Sequence, residues 1–134
     1  MVISPSSAAV ILIVEDEKGP RQALLSLLQP QYSVYTAESL SEARSLLQQC
    51  QIDLVILDLK LPDGDGTLLL REIHAAGSPT AVIIVTGYGS VESAVVAQEC
   101  GAAGYLLKPF NGYELMTLTH QILPLPHDAP EEPS

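Results

Sequence analysis

The 134-residue sequence predicts a three-layer α/β sandwich around a five-stranded parallel sheet. Three observations predict it. Short apolar runs alternate with amphipathic stretches five times along the chain. The best of the runs are continuous rather than alternating, as in strands covered on both faces. The stretches between them have the length of the crossover helices that parallel strands require.

The elements follow in order. Val10 to Val14 (VILIV) is the first strand. A helix is expected over Pro20 to Gln29, with Leu24, Leu25, Leu27 and Leu28 as its apolar stripe. Pro20 suits a first helical turn, where its missing N–H is no loss, and Pro30 ends the helix. Tyr32 to Ala37 reads as a second strand with weak alternation. Ser39 and Glu42 form a capping box for a second helix that turns Leu40, Ala43, Leu46 and Leu47 inward. Leu54 to Leu57 is the third strand and runs into Asp58. Thr67 to Ala76 is the third helix, and Gly77 supplies its stop. Ala81 to Val85 is the fourth strand. Ser90 caps a fourth helix that Gly101 terminates. Tyr105 to Leu107 is a short fifth strand before Lys108-Pro109. Asn111 caps the last helix, with Leu115, Leu118 and Ile122 inward. Residues 10–123 thus form one domain after a short N-terminal extension, residues 1–9. Pro124 to Ser134, rich in proline and acid, reads as tail or linker.

Composition excludes several classes. A hydrophobic content of 47% is too high for disorder. No run of eighteen apolar residues predicts a membrane span, and the N-terminus lacks the basic and apolar regions of a signal peptide. Sixteen acids against six Lys and Arg give a net charge of −10, which argues against direct contact with nucleic acid. Five Tyr, one Phe and no Trp leave little for a base-stacking surface. Cys50 and Cys100 read as free buried thiols of a reducing cytoplasm.

In an open parallel sheet, ligands bind beyond the carboxyl ends of the strands. Those ends carry Glu15-Asp16, Asp58, Thr86-Gly87 and Lys108-Pro109. Two carboxylates ~5 Å apart repel by about 3 kcal/mol at an effective dielectric of ~20. Three together call for a raised pKa or a bound cation. Oxygen donors without His or Cys suit Mg²⁺ rather than zinc. The bland alternative makes such acids helix caps. Asp16 fits that alternative, since a helix follows it. Asp58 does not, because Leu59-Lys60-Leu61-Pro62 follows it. Glu17 and Asp53 read as ordinary surface acids.

The sequence resembles the receiver domain of bacterial two-component response regulators. The matching pieces are ILIVEDE (Ile11 to Glu17), LVILDLKLPDGDG (Leu54 to Gly66), VIIVTGYGS (Val82 to Ser90) and GYLLKPF (Gly104 to Phe110). The resemblance implies a flavodoxin-like sheet of order 2-1-3-4-5. It implies Asp58 as phosphoacceptor, with Thr86 and Lys108 binding phosphoryl oxygens. It implies Mg²⁺ (or Mn²⁺) on Glu15, Asp16, Asp58 and the backbone carbonyl of Lys60. Tyr105 takes the switch aromatic position, and the Lys108-Pro109 peptide is expected cis. The implied donor is a histidine kinase or a histidine phosphotransfer protein. The implied reader is an output domain, an effector protein or a second copy, meeting the face of helix four, strand five and helix five. Apart from phosphoryl transfer onto Asp58 and its loss, no enzymatic turnover is implied. Glu15 stands where many members have Asp. Lys60 and Tyr88 sit at the variable rim of the pocket, and their bulk predicts slow self-dephosphorylation.

Two other motifs compete. Asp63-Gly64-Asp65-Gly66-Thr67-Leu68 resembles the nucleophile motif of haloacid-dehalogenase phosphatases, but Leu61-Pro62 separates Asp63 from any strand. The stretch also approaches a calcium loop, but Leu61 would fill its first ligand position. A glycine-rich turn before helix three accounts for both. His74, His120 and His127 read as surface residues. The remaining alternatives are a phosphohydrolase using Asp63 or Asp58 and a pseudo-receiver that only binds. The chain reads either as a stand-alone regulator or as a receiver cut from a longer regulator or hybrid kinase, the tail favouring the latter.

Overall fold

The computed structural model describes residues 8–123. The expected tail, His127 and most of the N-terminal extension lie outside them. Five strands form one sheet: β1 (Val10–Val14), β2 (Ser33–Ala37), β3 (Leu54–Leu57), β4 (Ala81–Thr86) and β5 (Gly104–Leu107). Their order is β2-β1-β3-β4-β5, and every pairing is parallel. Four helices connect them, α1 (Lys18–Leu28), α2 (Leu40–Gln49), α3 (Thr67–Ala75) and α4 (Val91–Glu99), and α5 (Gly112–Ile122) follows β5.

The continuous apolar runs have a simple cause. Side chains alternate between the two faces of a strand, and both faces are covered. Leu12, Val14, Val55, Leu57, Val82 and Ile84 point to one side, where α2, α3 and α4 add Leu40, Ala43, Leu69, Leu70, Ile73 and Ala97. Ile11, Ile13, Leu54, Ile56, Ile83 and Val85 point to the other, under Leu24 and Leu28 of α1 and Leu115 of α5. The edge strand β2 is mostly exposed, which explains its weak pattern.

Several boundaries differ from expectation. Helix α1 starts at Lys18, two residues before Pro20, because the first four N–H groups of a helix have no internal partner and Pro20 falls among them. Tyr32 precedes β2 instead of opening it, and its N–H closes on the Leu28 carbonyl. The capping box at Ser39 is half formed. Ser39 accepts from the Glu42 N–H, but the Glu42 carboxylate accepts from Glu38, one residue further back. In α5 the fully buried pair is Leu115 and Thr119, while Leu118 and Ile122 are half-buried. Thr119 tolerates burial because its hydroxyl donates to the Leu115 carbonyl at 2.8 Å. Cys50 and Cys100 are free as expected, but half-buried rather than buried.

The segment between β3 and α3, which the sequence predicts as a glycine-rich turn, has more structure than that. It is a two-stranded antiparallel hairpin, Lys60–Leu61 against Gly64–Asp65, with Pro62-Asp63 at its tip. Asp63 points away from the cluster at the strand ends. Its carboxylate accepts from the Leu40 and Ser41 N–H groups at 2.8 and 3.0 Å, capping α2 from outside the helix. Gly66 is buried where the hairpin meets α3. A Cβ there would lie 2.3 Å from the Asp58 carbonyl oxygen.

Candidate functional site

The carboxyl ends of β1, β3, β4 and β5 meet at one edge of the sheet, and each delivers a polar side chain there. Strand β1 runs into Glu15 and Asp16. The Glu15 N–H still bonds to Ala37 in the ladder, so the side chain leaves from sheet backbone. Strand β3 runs into Asp58, whose N–H bonds to the Val14 carbonyl. Glu15 and Asp58 are 1% and 5% exposed; Asp16 is exposed. One carboxylate oxygen from each lies within 4.8 Å of the others.

Burying acids this closely needs a counter-charge. Lys108, just after β5, provides it. Its ammonium donates to Glu15 Oε1 and, at 3.1 Å, to Asp58 Oδ2. Burial works against the Lys108 charge, but these two hydrogen bonds and the charges of the same two acids together outweigh it and raise its pKa. Burial also pushes the Glu15 carboxyl up, with the Asp58 charge adding to it, against hydrogen bonds from Lys108 and the Glu17 N–H. The Lys60 N–H approaches Asp58 Oδ1 at 3.4 Å. The Asp16 carboxylate has no hydrogen-bond partner among the described residues.

Thr86 ends β4 fully buried, and its hydroxyl oxygen accepts from the Tyr88 N–H at 3.1 Å. The register pairs Thr86 with Leu107 and Ile84 with Tyr105, so Tyr105 is the diagonal neighbour of Thr86. Tyr105 is half-buried, and its hydroxyl meets the Ser93 hydroxyl in the first turn of α4. The Lys108-Pro109 peptide is cis, as expected. A Cβ on Gly87 would approach nothing closer than the Lys108 Cβ at 3.8 Å, so packing does not demand glycine there.

A cleft of about 210 Å³ opens over Asp16 and Asp58, lined also by Glu17, Lys60, Leu61, Pro62 and Tyr88, with Glu15 buried beneath. Its rim is closed on one side by the Lys60 ammonium, 4.5 Å from the centre of the Tyr88 ring. Donor chemistry and cleft agree. Three carboxylates around a small opening suit a hard divalent cation, and the adjoining ammonium suits a second anion.

Glu15, Asp16, Asp58, Lys60, Thr86 and Lys108 therefore lie at this edge, with Tyr105 inside β5 beside Thr86, while the competing acids of the neighbouring hairpin are engaged elsewhere. Asp63 is occupied with α2. Asp65 accepts from the N–H and hydroxyl of Thr67 at the start of α3. Asp16 makes no cap, and Glu17 occupies the N-cap position of α1 without a side-chain bond. Asp53 holds the first N–H of β1 at 2.8 Å. Sequence reasoning passed over two contributors. One is Arg21, whose guanidinium bonds the Glu15 and Asp16 carbonyls. The other is the strand pairing of Lys60–Leu61 with Gly64–Asp65 on either side of the expected turn.

Comparison with known proteins agrees with this geometry. Residues 11–120 match the family profile of the response regulator receiver domain. The regulatory protein AtoC of Escherichia coli is 35% identical over 116 residues, which cover 86% of this chain and 25% of that protein. The aerobic respiration control protein ArcA of Escherichia coli is 36% identical over 114 residues, 84% of this chain and 48% of that protein. The chain thus spans a quarter to a half of these curated relatives. A CheY-like receiver domain from Methanospirillum hungatei superposes with a TM-score of 0.81 at 31% identity, covering 85% of this chain and 92% of that one. The beryllofluoride-activated NtrC4 receiver domain, described as a dimer, superposes with a TM-score of 0.76 at 34% identity, covering 84% and 95%. The chain belongs to the receiver-domain family of two-component response regulators.

Proposed function

We propose that Asp58 is the phosphoacceptor of this receiver and that the paired ion bridge of Lys108 is the observation that carries the reading. A carboxylate oxygen of Asp58 forms the new P–O bond as the P–N bond of a donor phosphohistidine breaks. The bonding pair stays on the imidazole, which takes up a proton. The donor is a sensor histidine kinase or a histidine phosphotransfer protein. Phosphoryl transfer depends mainly on positioning and charge neutralisation. Lys108 already neutralises Asp58 and can follow the charge onto a phosphoryl oxygen. Thr86 can turn its hydroxyl to another. The Asp58-to-phosphoryl step and its reversal by water are the only chemistry proposed for the chain.

Glu15, Asp16, Asp58 and the Lys60 carbonyl would hold Mg²⁺, with Mn²⁺ as a substitute. When bound, the cation supplies charge neutralisation that keeps Asp58 ionised and offsets the negative phosphoryl oxygens. Lys60 and Tyr88, stacked across the rim, narrow the approach for attacking water. Replacing both by Ala should shorten the phosphoryl lifetime, and an unchanged lifetime would count against their role.

The response is proposed to run through Thr86 and Tyr105 to the face of α4, β5 and α5. That face exposes Val91, Val95, Leu107 and Tyr113. From Glu72 onward the sole Lys or Arg is Lys108, so the face offers apolar and acidic groups. Such a surface suits an output domain or effector protein better than nucleic acid. No helix among the described residues is long and apolar enough to cross a membrane, and we place the protein's work in the cytoplasm.

Acetyl phosphate with Mg²⁺ tests the reading. Mass spectrometry should find one added phosphoryl group on the wild type and none on Asp58→Asn. Multiple turnover without a stable phosphoprotein would favour a phosphohydrolase, and no reaction a pseudo-receiver.

A further inference from the structure

Arg21 lies in the first turn of α1, where helix electrostatics gives a cation no reason to be. The positive end of the helix dipole is there, the first turn contains no acid, and Glu17 makes no side-chain cap. The side chain is nevertheless folded back and only 14% exposed. Its Nη1 donates to the carbonyl oxygens of Glu15 and Asp16, each at 3.1 Å. The remaining partner is Glu38, with Oε2 at 3.6 Å and a carboxylate 60% exposed. A pair of that length with its carboxylate mostly in solvent contributes little. The two carbonyls are therefore what holds the side chain in place.

The three acids of the cluster are not held alike. Lys108 fixes Glu15 and Asp58 together, and the Glu17 N–H takes the second oxygen of Glu15 at 3.1 Å. The Asp16 side chain has no such partner among the described residues, so its direction follows from its backbone. That backbone belongs to a three-residue link between β1 and α1; Glu15 holds its Glu17 end, and Arg21 grips the Glu15 and Asp16 carbonyls.

We propose that Arg21 is a positioning residue for the acidic cluster: by clamping the Glu15 and Asp16 carbonyls it aims the Asp16 carboxylate at Asp58 and sets the affinity for a divalent cation. The inference rests on reading the cluster as a cation site. Arginine suits the task because its donors are fixed in a plane and its charge is weakly hydrated. Lysine keeps the charge on a shorter, more hydrated group and replaces it incompletely. Methionine keeps most of the apolar stem and no donor.

The test is Mg²⁺ titration by calorimetry on the full chain, for the wild type, Arg21→Lys and Arg21→Met. Groups that orient metal ligands typically account for about 10–100-fold in affinity. The dissociation constant should rise from wild type to Lys to Met, reaching about tenfold for Met, while melting in EDTA stays within a few degrees. With acetyl phosphate, the Mg²⁺ concentration for half-maximal phosphorylation should rise by the same factor, and the maximal rate should stay within about twofold. A folded variant of either kind with wild-type Mg²⁺ affinity overturns the proposal. So does a fall in maximal rate with the half-saturating Mg²⁺ unchanged. If Arg21→Met does not fold, the Lys variant decides by the same criterion. If the wild type itself binds no Mg²⁺, the cluster is not a cation site and the inference fails with that reading. If it binds and the variants bind alike, the inference alone fails.

Discussion

Helices α3 and α4 are each nine residues long and lie on the same face of the sheet, yet they are attached very differently. Helix α3 buries Leu69, Leu70 and Ile73; α4 buries Ala97 alone. The start of α3 is welded to the site, since the Gly66 N–H donates to the Leu59 carbonyl at 2.7 Å. Its middle is tied to α2 by a two-pronged Arg44–Glu72 pair at 2.9 and 2.7 Å. Helix α4 is held at its start by hydroxyls: Ser90 and Ser93 cap each other, and Ser93 also meets Tyr105. Its outer side leaves Val91 82% exposed. A domain that must keep three acids in register while changing its surface needs one firm flank and one loose one. Local stability follows buried contacts, so the firm flank carries Asp58 and the loose one is the flank proposed above to carry the response.

Two glycines test the division most severely. A Cβ on Gly66 would sit 2.3 Å from the Asp58 carbonyl oxygen and 2.9 Å from the Leu59 Cα, both backbone atoms that cannot step aside. Gly66→Ala should destabilise the domain by more than about 4 kcal/mol, read by urea unfolding. A Cβ on Gly89, beside α4, would meet the Leu107 Cδ2 at 2.5 Å and the Tyr105 hydroxyl at 2.9 Å, the free ends of side chains. Gly89→Ala should therefore cost under about 1 kcal/mol while displacing Tyr105. Equal losses from the two would erase the distinction.

Truncation within the helices comes next. Leu70→Ala should cost about 3 kcal/mol, through lost burial and the cavity left behind. Val95→Ala, on the outward side of α4, should stay within about 0.5 kcal/mol. A loss above about 2 kcal/mol from Val95→Ala would mean that α4 is packed as firmly as α3.

The same contrast explains which features the sequence revealed. The sheet was legible because burial on both faces forces continuous runs such as VILIV and LVIL. The candidate site was legible because Glu15, Asp16, Asp58 and Lys108 each follow a strand and Thr86 ends one, and parallel strands bring their carboxyl ends together. The fastenings were not legible. The bonds from Asp63 to Leu40 and from Arg21 to Glu15 join residues whose partners are backbone groups, and every residue type has those. Asp63 in particular imitates a catalytic motif while serving as the cap of a distant helix.

Asp63 gives a pH-dependent test of the firm flank. The Leu40 N–H, helped by that of Ser41, holds its carboxyl below the ordinary value of 3.8. A carboxyl with a lowered folded pKa stabilises fully above its ordinary value and loses that contribution as pH falls through the folded one. Asp63→Asn should therefore melt below the wild type from neutral pH down to about pH 5. The gap should close below pH 3.8. Because the other acids are common to both proteins, the gap isolates Asp63. A gap that stays constant to low pH would show that the cap works without its charge.

The smallest expected effect concerns the loose flank. Tyr105→Phe removes the hydroxyl that meets Ser93 and leaves the ring in its half-buried site. Ser93 keeps its other bonds, accepting from the Ser90 N–H at 3.0 Å and donating to the Ser90 carbonyl at 3.1 Å. The cap therefore survives, and global stability should change by about 1 kcal/mol or less. The tie between β5 and the start of α4 does not survive. Amide hydrogen exchange should quicken at Ala94 to Ala97 and remain as in the wild type at Leu70 to Ile73. Exchange that quickened equally in both helices would mean that Tyr105 supports the whole layer. Exchange confined to α4 would mark the Tyr105–Ser93 contact as the latch between the aromatic side chain and the face it is proposed to control.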